Sequence, residues 1–323
     1  MSKVSHEIRL ATIEDRENIL FFLKVNWSES LIYVKDPEFF DYEFLEDRAL
    51  NFVVAYRSGV LEGILGFIKT SRRLSQSCIQ TVLWKVIPRC ENPILGISLL
   101  DFLLNGDFKR VSSVGIGKHT ERLYKFLKLK TGKLDHFYIL NPVMNEFNIA
   151  SGELVRGVAG ALGAGARSLL PIKNFGSIDL SNSDKDLWYL HKRYCLHPYY
   201  EYQLMKIEET DTVLVFREQI VRDSKVLRLI DYIGDPSKIG ELGNSLENLL
   251  IKGCYEYIDF YCSGFKTKVL GKAGFQLNKM GSSVVIPNYF SPFEKSNIEI
   301  YYFTNSTCLG SFFKGDGDQD RPN

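Results

Sequence analysis

The strongest constraint on the fold is a pattern of strands and helices that recurs in a similar order in the two halves of the chain. The segment LYKFLKLKTGKL (123–134) has the apolar spacing of VLGKAGFQLNKM (269–280), and LDFLL (100–104) has that of LENLL (246–250). Alternating strands and helices with antiparallel hairpins predict a mixed central sheet flanked by helices, of the α/β or α+β class. We therefore predict two tandem copies of one fold, the second degenerate. Two unrelated α/β halves are the alternative.

Local patterns predict the individual elements. The first half begins with a strand at 8–11, a helix capped by Thr12 and Asp15, and a hairpin around Ser58 and Gly59. Its later elements are the strand CIQTVLWKVI, the helix PILGISLLDFLL, the strand RVSSVGI, the helix HTERLYKFLKL and the strand GKLDHFYIL. The second half has a hairpin over 211–235, the helix SKIGELGNSLENLLIKG, the strand YEYIDFYC, the helix GFKTKVLGKAGF and the strand SSVVIPNYF.

A stretch rich in glycine and alanine, GVAGALGAGARSLLP, interrupts these patterns between the two halves. Small residues in such a run indicate a linker or a packing segment. We predict an N-terminal domain at 1–150, a linker at 151–182 and a C-terminal domain at 183–323.

Composition excludes several classes of function. The 323 residues are 45% hydrophobic, which is enough apolar material for a full core. A formal net charge of +1, spread along the chain, argues against nucleic-acid binding. We see no apolar run of membrane-span length and no secretory signal. Six cysteines without a CxxC pair (78, 90, 195, 254, 262 and 308) indicate buried, reduced thiols, so we expect a cytoplasmic protein.

Gly96 lies where the chain turns from the predicted strand CIQTVLWKVI into the helix of "PILGISLLDFLL". A helix N-terminus presents unpaired N–H groups and a partial positive charge, which suit an anion such as a pyrophosphate. A glycine there lets a ligand approach the backbone closely. The alternative is that Gly96 only relieves a tight turn.

Two motifs together carry a family resemblance. Pro93, Gly96 and Ser98 stand at the three places of the pattern Arg/Gln-x-x-Gly-x-Gly/Ala, from which Pro93 departs. Further along, LYKFLKL (123–129) has Tyr124 on a helix after the next strand, with Lys and Leu where Gly and Phe are common. In both respects the chain resembles the GNAT superfamily of acyl-CoA-dependent N-acyltransferases. The resemblance implies tandem GNAT-like domains.

The second copy keeps the periodicity of the first but not its functional groups. Leu270 stands in the place of Tyr124, and Leu242 in that of Gly96. We therefore expect one coenzyme site, in the N-terminal half, with the C-terminal half structural or holding the acceptor.

The resemblance also implies roles for particular residues. Acyl-CoA would be the cosubstrate, and Tyr124 would protonate the departing thiolate. Backbone N–H groups on the strand near Trp84 would polarise the thioester carbonyl. The residues expected to contact the coenzyme are Trp84, Lys85, Val86, Leu95, Gly96, Ile97, Ser98 and Lys118. Asp135 and His136 are candidate bases on opposite faces of one strand, and we favour His136 because imidazole titrates near neutral pH.

Within the superfamily the chain is similar to two-domain N-acyltransferases of nucleotide-linked amino sugars. The resemblance rests on LYKFLKLKTGKLDHFYILN (123–141), the degenerate second copy and the ending GDGDQDRPN (315–323). It implies transfer of a 3-hydroxybutanoyl or acetyl group to the amine of a dTDP-linked amino-dideoxy sugar, such as dTDP-3-amino-3,6-dideoxy-D-galactose, for surface polysaccharide. The residues expected to bind this small-molecule acceptor are Trp27, Tyr138, Asp316, Asp318 and Arg321. The oligomeric state stays open.

The polar ending has two other interpretations. Asp316, Asp318 and Asp320 imitate the start of a calcium loop, but no bidentate Glu follows them. A disordered tail is the second interpretation.

Two alternative functions stay open beside the acyltransferase. One is a catalytically silent module that binds acyl-CoA or a nucleotide sugar, and the other is an aminoacyl or peptide transferase. We predict no metal site, because His191, Cys195 and His197 do not supply the four ligands of a closed site.

Overall fold

The computed structural model describes residues 5–72, 77–155, 167–279, 281–307 and 310–322. The strands are β1 (Glu7–Thr12), β2 (Leu45–Glu46), β3 (Ala49–Arg57), β4 (Val60–Lys69), β5 (Cys78–Val86), β6 (Arg110–Ile116), β7 (Lys130–Lys133), β8 (Asp135–Leu140), β9 (Leu169–Ile172), β10 (Gln203–Ile207), β11 (Val213–Val221), β12 (Ser224–Ile233), β13 (Tyr257–Cys262), β14 (Gln276–Leu277), β15 (Tyr289–Phe290), β16 (Phe293–Glu294) and β17 (Tyr301–Thr304). The helices are α1 (Arg16–Asn26), α2 (Ile32–Lys35), α3 (Pro37–Phe44), α4 (Leu95–Leu104), α5 (Glu121–Phe126), α6 (Leu187–Leu190), α7 (Gly243–Gly253) and α8 (Thr267–Lys272). Short 3₁₀ turns at Ile13–Asp15, Lys118–Thr120, Pro236–Glu241 and Lys314–Asp316, and a π turn at His191–Cys195, complete the described helical segments.

The strands form two large mixed sheets, which confirms the predicted fold class. The first sheet has the order β1-β3-β4-β5-β6-β17-β7, with β2 paired to β3. The second has the order β14-β8-β13-β12-β11-β10-β9. Each contains one parallel pair, β5–β6 in the first and β12–β13 in the second, next to an antiparallel hairpin. The two sheets therefore share one arrangement.

Each sheet contains a strand from the other half of the chain. β17, from the C-terminal half, lies between β6 and β7 of the first sheet. β8, from the N-terminal half, lies between β13 and β14 of the second sheet. The two halves have therefore exchanged one internal strand each.

This exchange corrects two predictions. The segment GKLDHFYIL is two strands, because the ladder is broken at Leu134, whose N–H donates to the carbonyl of Ile300. The division at residue 150 assigns β8 to the N-terminal domain, whereas β8 pairs within the second sheet. The predicted strand SSVVIPNYF is also shorter, since β15 covers only its last two residues, and Val285 forms an isolated bridge with Ser151.

The first sheet has two differently covered faces. We call the face that packs on α4 the outer face; its core joins Leu99 and Leu103 to Ala55, Val111 and Phe303. The opposite, inner face packs on α1 and α3 and continues into the second half. One core joins residues of both halves across it, including Phe22, Phe40, Tyr194, Val215 and Ile230. Apolar burial of this extent is the main stabilising contribution, at about 25 cal/mol per Å².

Two further sequence predictions concern the cysteines and membrane-spanning helices. The five cysteines in the described part of the chain are unpaired, and Cys78 and Cys262 are buried. Cys308 lies outside the described residues, as does most of the Gly/Ala-rich stretch. None of the described helices is both long and apolar enough to cross a bilayer.

Candidate active site

The first sheet opens between β5 and β6. These parallel strands pair only from Cys78 and Arg110 to Gln80 and Ser112 and then diverge toward their C-terminal ends. Within β5, Leu83 has a positive φ of 48°, beside the point where the pairing with β4 shifts register. Such a bulge redirects a strand and leaves its backbone groups unpaired on one side. The pairing of β5 with β6 therefore ends in the middle of the sheet, and we call the gap beyond Gln80 and Ser112 the opening.

Two backbone N–H groups of β5 are directed into the opening. Ile87 donates its N–H to the carbonyl of Glu62, on the opposite side, toward β4. Backbone direction alternates along an extended strand, so Val86 and Trp84 direct their N–H groups away from β4. Lys85 is also among the residues expected to contact the coenzyme, but its backbone N–H is directed toward β4.

The first turn of α4 faces the opening from the outer face. Leu95 is buried and donates its N–H to Asn92, while Ser98 donates both its N–H and its hydroxyl to the carbonyl of Ile94. The N–H groups of Gly96 and Ile97 are at positions of the first turn that have no intrahelical acceptor. These two N–H groups are available to an anion.

The surroundings of Gly96 distinguish its two interpretations, the close approach of a ligand and the relief of a tight turn. A Cβ built there would meet Nε1 of Trp84 at 3.4 Å, which is an ordinary van der Waals contact, and Gly96 is not among the positive-φ glycines. The turn itself therefore does not require glycine, and the close approach of a ligand is the better explanation.

Tyr124 lies on α5, at the outer side of the opening. Its ring stacks on Phe303 of the exchanged strand, with centroids 4.2 Å apart, and lies 6.1 Å from the ring of Trp84. The ring is buried, but the hydroxyl makes no hydrogen bond to a described residue. Burial raises the pKa of Tyr124 above its ordinary value, so the phenol stays protonated at neutral pH. This arrangement suits a proton donor.

The predicted bases do not lie beside Tyr124. β8 carries them into the second sheet, where the buried ring of His136 stacks on Tyr261 at 3.8 Å. Nε2 of His136 lies 3.4 Å from a carboxylate oxygen of Asp259, and burial lowers the pKa of His136. Asp135 is exposed, and together the two line a separate cavity of about 240 Å³. Tyr138 is also in the second sheet, with its hydroxyl directed to Gln276.

The C-terminal tail is folded between the two sheets rather than disordered. Three of its side chains are buried in ion pairs: Asp316 with Lys185 at 2.6 Å, Asp320 with Arg217 at 2.5 Å, and Arg321 with Glu43 at 2.6 Å. Asp316 and Arg321, predicted to bind the acceptor, are therefore engaged within the protein. Asp318 differs, because it is exposed.

The tail also closes the corresponding opening of the second sheet. There β12 and β13 pair in parallel only from Leu227 to Leu229 on β12 and diverge afterwards. Phe312 accepts a hydrogen bond from the N–H of Ser263, beyond β13, and a Cβ at Gly315 would lie 3.0 Å from Ile230 of β12. The second opening thus contains residues 312–315 of the tail between its two diverging strands.

Comparison of the two copies confirms one sequence correspondence and corrects another. Leu270 has the same position in α8 that Tyr124 has in α5, and it is buried. In the longer helices, the buried side chains match when Leu99, Leu100 and Leu103 are set against Leu246, Glu247 and Leu250. This match places Gly243, and not Leu242, opposite Gly96.

Two predicted contact residues lie at the rim. Trp27 is 45% exposed at the end of α1, and Nζ of Lys85 lies 5.9 Å from its ring. Lys118 is exposed in the turn before α5, with Nζ 3.8 Å from a carboxylate oxygen of Glu299. It borders a groove of about 380 Å³ between the end of β6 and residues 297–301.

Two sets of candidate metal ligands already have partners within the protein. Nδ1 of His197 accepts the N–H groups of Tyr199 and Tyr200, so this histidine stabilises a turn. His6, Glu62 and Cys90 have ligand atoms within 4.8 Å of one another, in the part of the chain that the structure describes. Glu62 is already paired with Arg57 at 2.7 Å, which neutralises its charge.

Sequence reasoning missed Phe303 and the glycine of β6. Phe303 belongs to a four-residue strand far from Tyr124 in sequence, and no local motif links them. Gly115, with a φ of 97°, lies at the end of a strand, where an isolated glycine indicates a bulge or the close approach of another group. That signal was available in the sequence.

No protein-family profile and no curated protein matches the chain. Among solved structures, it is similar to GCN5-related N-acetyltransferases from Anabaena variabilis ATCC 29413 (TM-score 0.52, 14% identity, covering 93% of this chain and 72% of that one) and from Kribbella flavida (0.53, 12%, 94% and 72%). It is also similar to a "probable N-acyltransferase" from Enterococcus faecalis V583 (0.55, 7%, 93% and 72%). At these identities the likeness establishes a shared fold, which extends over nearly the whole chain.

Proposed function

We propose that the protein is an acyl-CoA-dependent N-acyltransferase of the GNAT superfamily. The observation that carries this proposal is the opening between β5 and β6, with the first turn of α4 at one side and Tyr124, whose ring is buried, at another. A coenzyme whose pyrophosphate binds at Gly96 and Ile97 would have its thioester in the opening. The shared fold with N-acetyltransferases supports the same assignment.

In this proposal each group has its own part in the reaction. The N–H groups of Trp84 and Val86 would stabilise the negative charge that develops on the thioester oxygen. The acceptor amine would attack the carbonyl carbon, and the carbon–sulfur bond would break. Tyr124 would give its proton to the departing sulfur. Holding amine and thioester in contact would contribute much of the remaining acceleration.

We further propose that the acceptor is the amine of a dTDP-linked amino-dideoxy sugar, and that the acyl group is 3-hydroxybutanoyl or acetyl. This finer assignment rests on the resemblance carried by residues 123–141 and 315–323. The product would serve synthesis of surface polysaccharide, such as the O-antigen of lipopolysaccharide, in the cytoplasm.

The test is release of free thiol from acetyl-CoA or 3-hydroxybutanoyl-CoA, measured with a thiol reagent in the presence of dTDP-3-amino-3,6-dideoxy-D-galactose. We expect release only with both substrates, and a product heavier by one acyl group. Tyr124→Phe should lower kcat by about 10²–10⁴-fold and leave acetyl-CoA binding nearly unchanged.

The matched control is Tyr255→Phe, a buried tyrosine in the core of the second half, which should keep full activity. Unchanged turnover in Tyr124→Phe would remove Tyr124 as the acid. Acyl-CoA binding without thiol release from a panel of amines would support the silent binding module, which the absence of a donor at Pro93 favours. Acyl transfer from aminoacyl-tRNA would instead support the aminoacyl transferase.

A further inference from the structure

The tail of the C-terminal half reaches the opening of the first sheet. A Cβ at Gly317 would meet the carbonyl oxygen of Val114 at 2.2 Å, so the tail runs directly against β6. A Cβ at Gly115 would meet a carboxylate oxygen of Asp318 at 2.7 Å and Nε2 of Gln319 at 2.5 Å. Asp318 therefore lies beside the last part of β6, where that strand diverges from β5.

Asp318 is on the inner face of the sheet, opposite the first turn of α4. Val114, against which the tail packs, belongs to a core with Tyr261 and Phe312 of the second half. Val111 belongs instead to the core that includes α4. A ligand anchored at α4 and extending through the opening would thus present its reacting end on the side where Asp318 lies.

Asp318 is the carboxylate of the tail that stays free of ion pairs within the described residues. Asp316 and Asp320 are neutralised by Lys185 and Arg217. The Asp318 carboxylate accepts a hydrogen bond of 3.2 Å from the side chain of Gln319 and another from its own backbone N–H. An exposed, unneutralised carboxylate at the wall of a cleft can accept a proton.

Three ionisable groups surround this carboxylate. Arg321 is in the tail itself and is committed to Glu43, Tyr33 is on α2, and Tyr289 is on β15. Although the side chain contacts solvent, protein encloses it on several sides, and this partial burial raises the pKa of Asp318 despite Arg321. A raised pKa makes a carboxylate a stronger proton acceptor and thus a more useful general base.

We propose that Asp318 is the base that takes the proton of the acceptor amine, an inference that rests on the proposed acyl transfer. The C-terminal half thereby supplies a catalytic group to the site of the N-terminal half. The amine enters from the inner face, along the groove between the end of β6 and residues 297–301, in which Gln319 also lies.

The proposed reaction moves two protons, one to Asp318 and one from Tyr124. The nitrogen lone pair forms a bond to the thioester carbon while one N–H proton passes to the Asp318 carboxylate. The carbon–sulfur bond breaks, its electron pair stays on sulfur, and sulfur takes the proton of the Tyr124 hydroxyl. Water then carries the proton from Asp318 to solvent and returns one to the Tyr124 phenolate. The products are the amide and free coenzyme A.

The experiment compares the full-length wild type with Asp318→Asn, using acetyl-CoA and dTDP-3-amino-3,6-dideoxy-D-galactose. We expect kcat/KM for the acceptor to fall about 10²–10³-fold, with acetyl-CoA affinity changed less than about twofold. As the pH is lowered below the pKa of Asp318, log(kcat/KM) of the wild type should fall with a steeper slope than that of Asp318→Asn. In the variant only protonation of the acceptor amine still lowers the rate. Asp318→Glu should restore that steeper limb and part of the rate.

The control is Asp223→Asn, an exposed aspartate in the turn between β11 and β12, which should behave as the wild type. Equal rates and equal pH profiles for the wild type and Asp318→Asn would overturn the role of Asp318 and leave the acyltransferase intact. A lower rate with an unchanged profile would also overturn it, because a merely structural defect has that signature. A wild type that binds acetyl-CoA but releases no thiol would overturn the proposed function and this inference together.

Discussion

Phe303 stacks on Tyr124 with their ring planes 18° apart, although the two residues belong to different halves of the chain. Tyr124 is the proposed proton donor, and Phe303 is on the strand that the C-terminal half inserts into the first sheet. The position of the proposed acid therefore depends on correct insertion of β17.

Replacement of Phe303 by leucine tests this dependence. Leucine keeps an apolar side chain but loses the aromatic pair, which contributes about 0.5–1.5 kcal/mol beyond area burial. We expect kcat to fall about tenfold, with little change in acetyl-CoA affinity measured by titration calorimetry. Phe275→Leu, in the core of the second half, is the control and should leave kcat unchanged. Equal kcat in both variants would contradict the dependence.

Gly317→Ala tests whether the contact of the tail with β6 matters. The added methyl group would meet the carbonyl of Val114 at 2.2 Å, so the tail must shift. We expect a loss of about 1–3 kcal/mol in the free energy of unfolding, measured by urea denaturation, and a lower rate of thiol release. Gly271→Ala is the matched control, because nothing lies within 4 Å of its Cβ and alanine favours the helix. A rate unaffected by Gly317→Ala would show that the position of the tail is not critical.

The buried pair of Arg321 and Glu43 should contribute strongly to stability once formed. Arg321→Met leaves the Glu43 carboxylate in the interior without its closest partner, at a cost of about 3–5 kcal/mol in urea denaturation. Adding Glu43→Gln should recover part of this loss, because the isolated charge disappears. Arg48→Met breaks an exposed pair with Glu14 and should have no resolvable effect. A similarly small effect of Arg321→Met would mean that solvent reaches the pair.

His197 should make stability sensitive to mildly acidic pH. Burial, reinforced by Arg193, lowers the pKa of His197 to about 3, and its Nδ1 accepts two backbone N–H groups. As the pH falls below about 6.5, the unfolded chain binds this proton and the folded protein does not, so stability is lost. By pH 5 the loss from this group is about 2 kcal/mol.

The comparison is between urea denaturation at pH 7 and at pH 5. Between pH 7 and pH 5, the free energy of unfolding of His197→Asn should fall by about 2 kcal/mol less than that of the wild type. This difference is expected whatever the stability of the variant at pH 7. His191→Asn replaces an exposed histidine and should keep the wild-type dependence. The same pH dependence in all three proteins would contradict the assignment.

The elements of the fold follow from local sequence, but the pairing of two strands does not. The hairpin of β3 and β4 and the junction of β5 with α4 are encoded by a Ser58–Gly59 turn and by apolar periodicity, so both were predicted. The alternation of apolar and polar residues in GKLDHFYIL does not indicate whether the segment forms one strand in one sheet or two strands in different sheets. The break at Leu134 depends on a hydrogen bond to Ile300, which is distant in sequence.

The site divides in the same way. Gly96 and Tyr124 lie in local motifs, so sequence alone was enough to select them as candidates. His136 was assigned to the wrong sheet because the exchange of β8 has no local signal. The aspartates of the tail resemble a solvated segment, since the residues that neutralise them, Lys185 and Arg217, are in the body of the C-terminal half.

The strand exchange has a consequence for synthesis of the protein. The first sheet has no strand between β6 and β7 until residues 301–304 have left the ribosome, although the rest of that sheet is complete after residue 133. The nascent N-terminal half must therefore wait through much of elongation, with β6 unpaired along one edge and with β7 lacking its partner strand β17. A gene split near residue 150 would give two fragments that each lack an internal strand and carry the strand that the other needs. Their co-expression should restore the fold, whereas either fragment alone should aggregate.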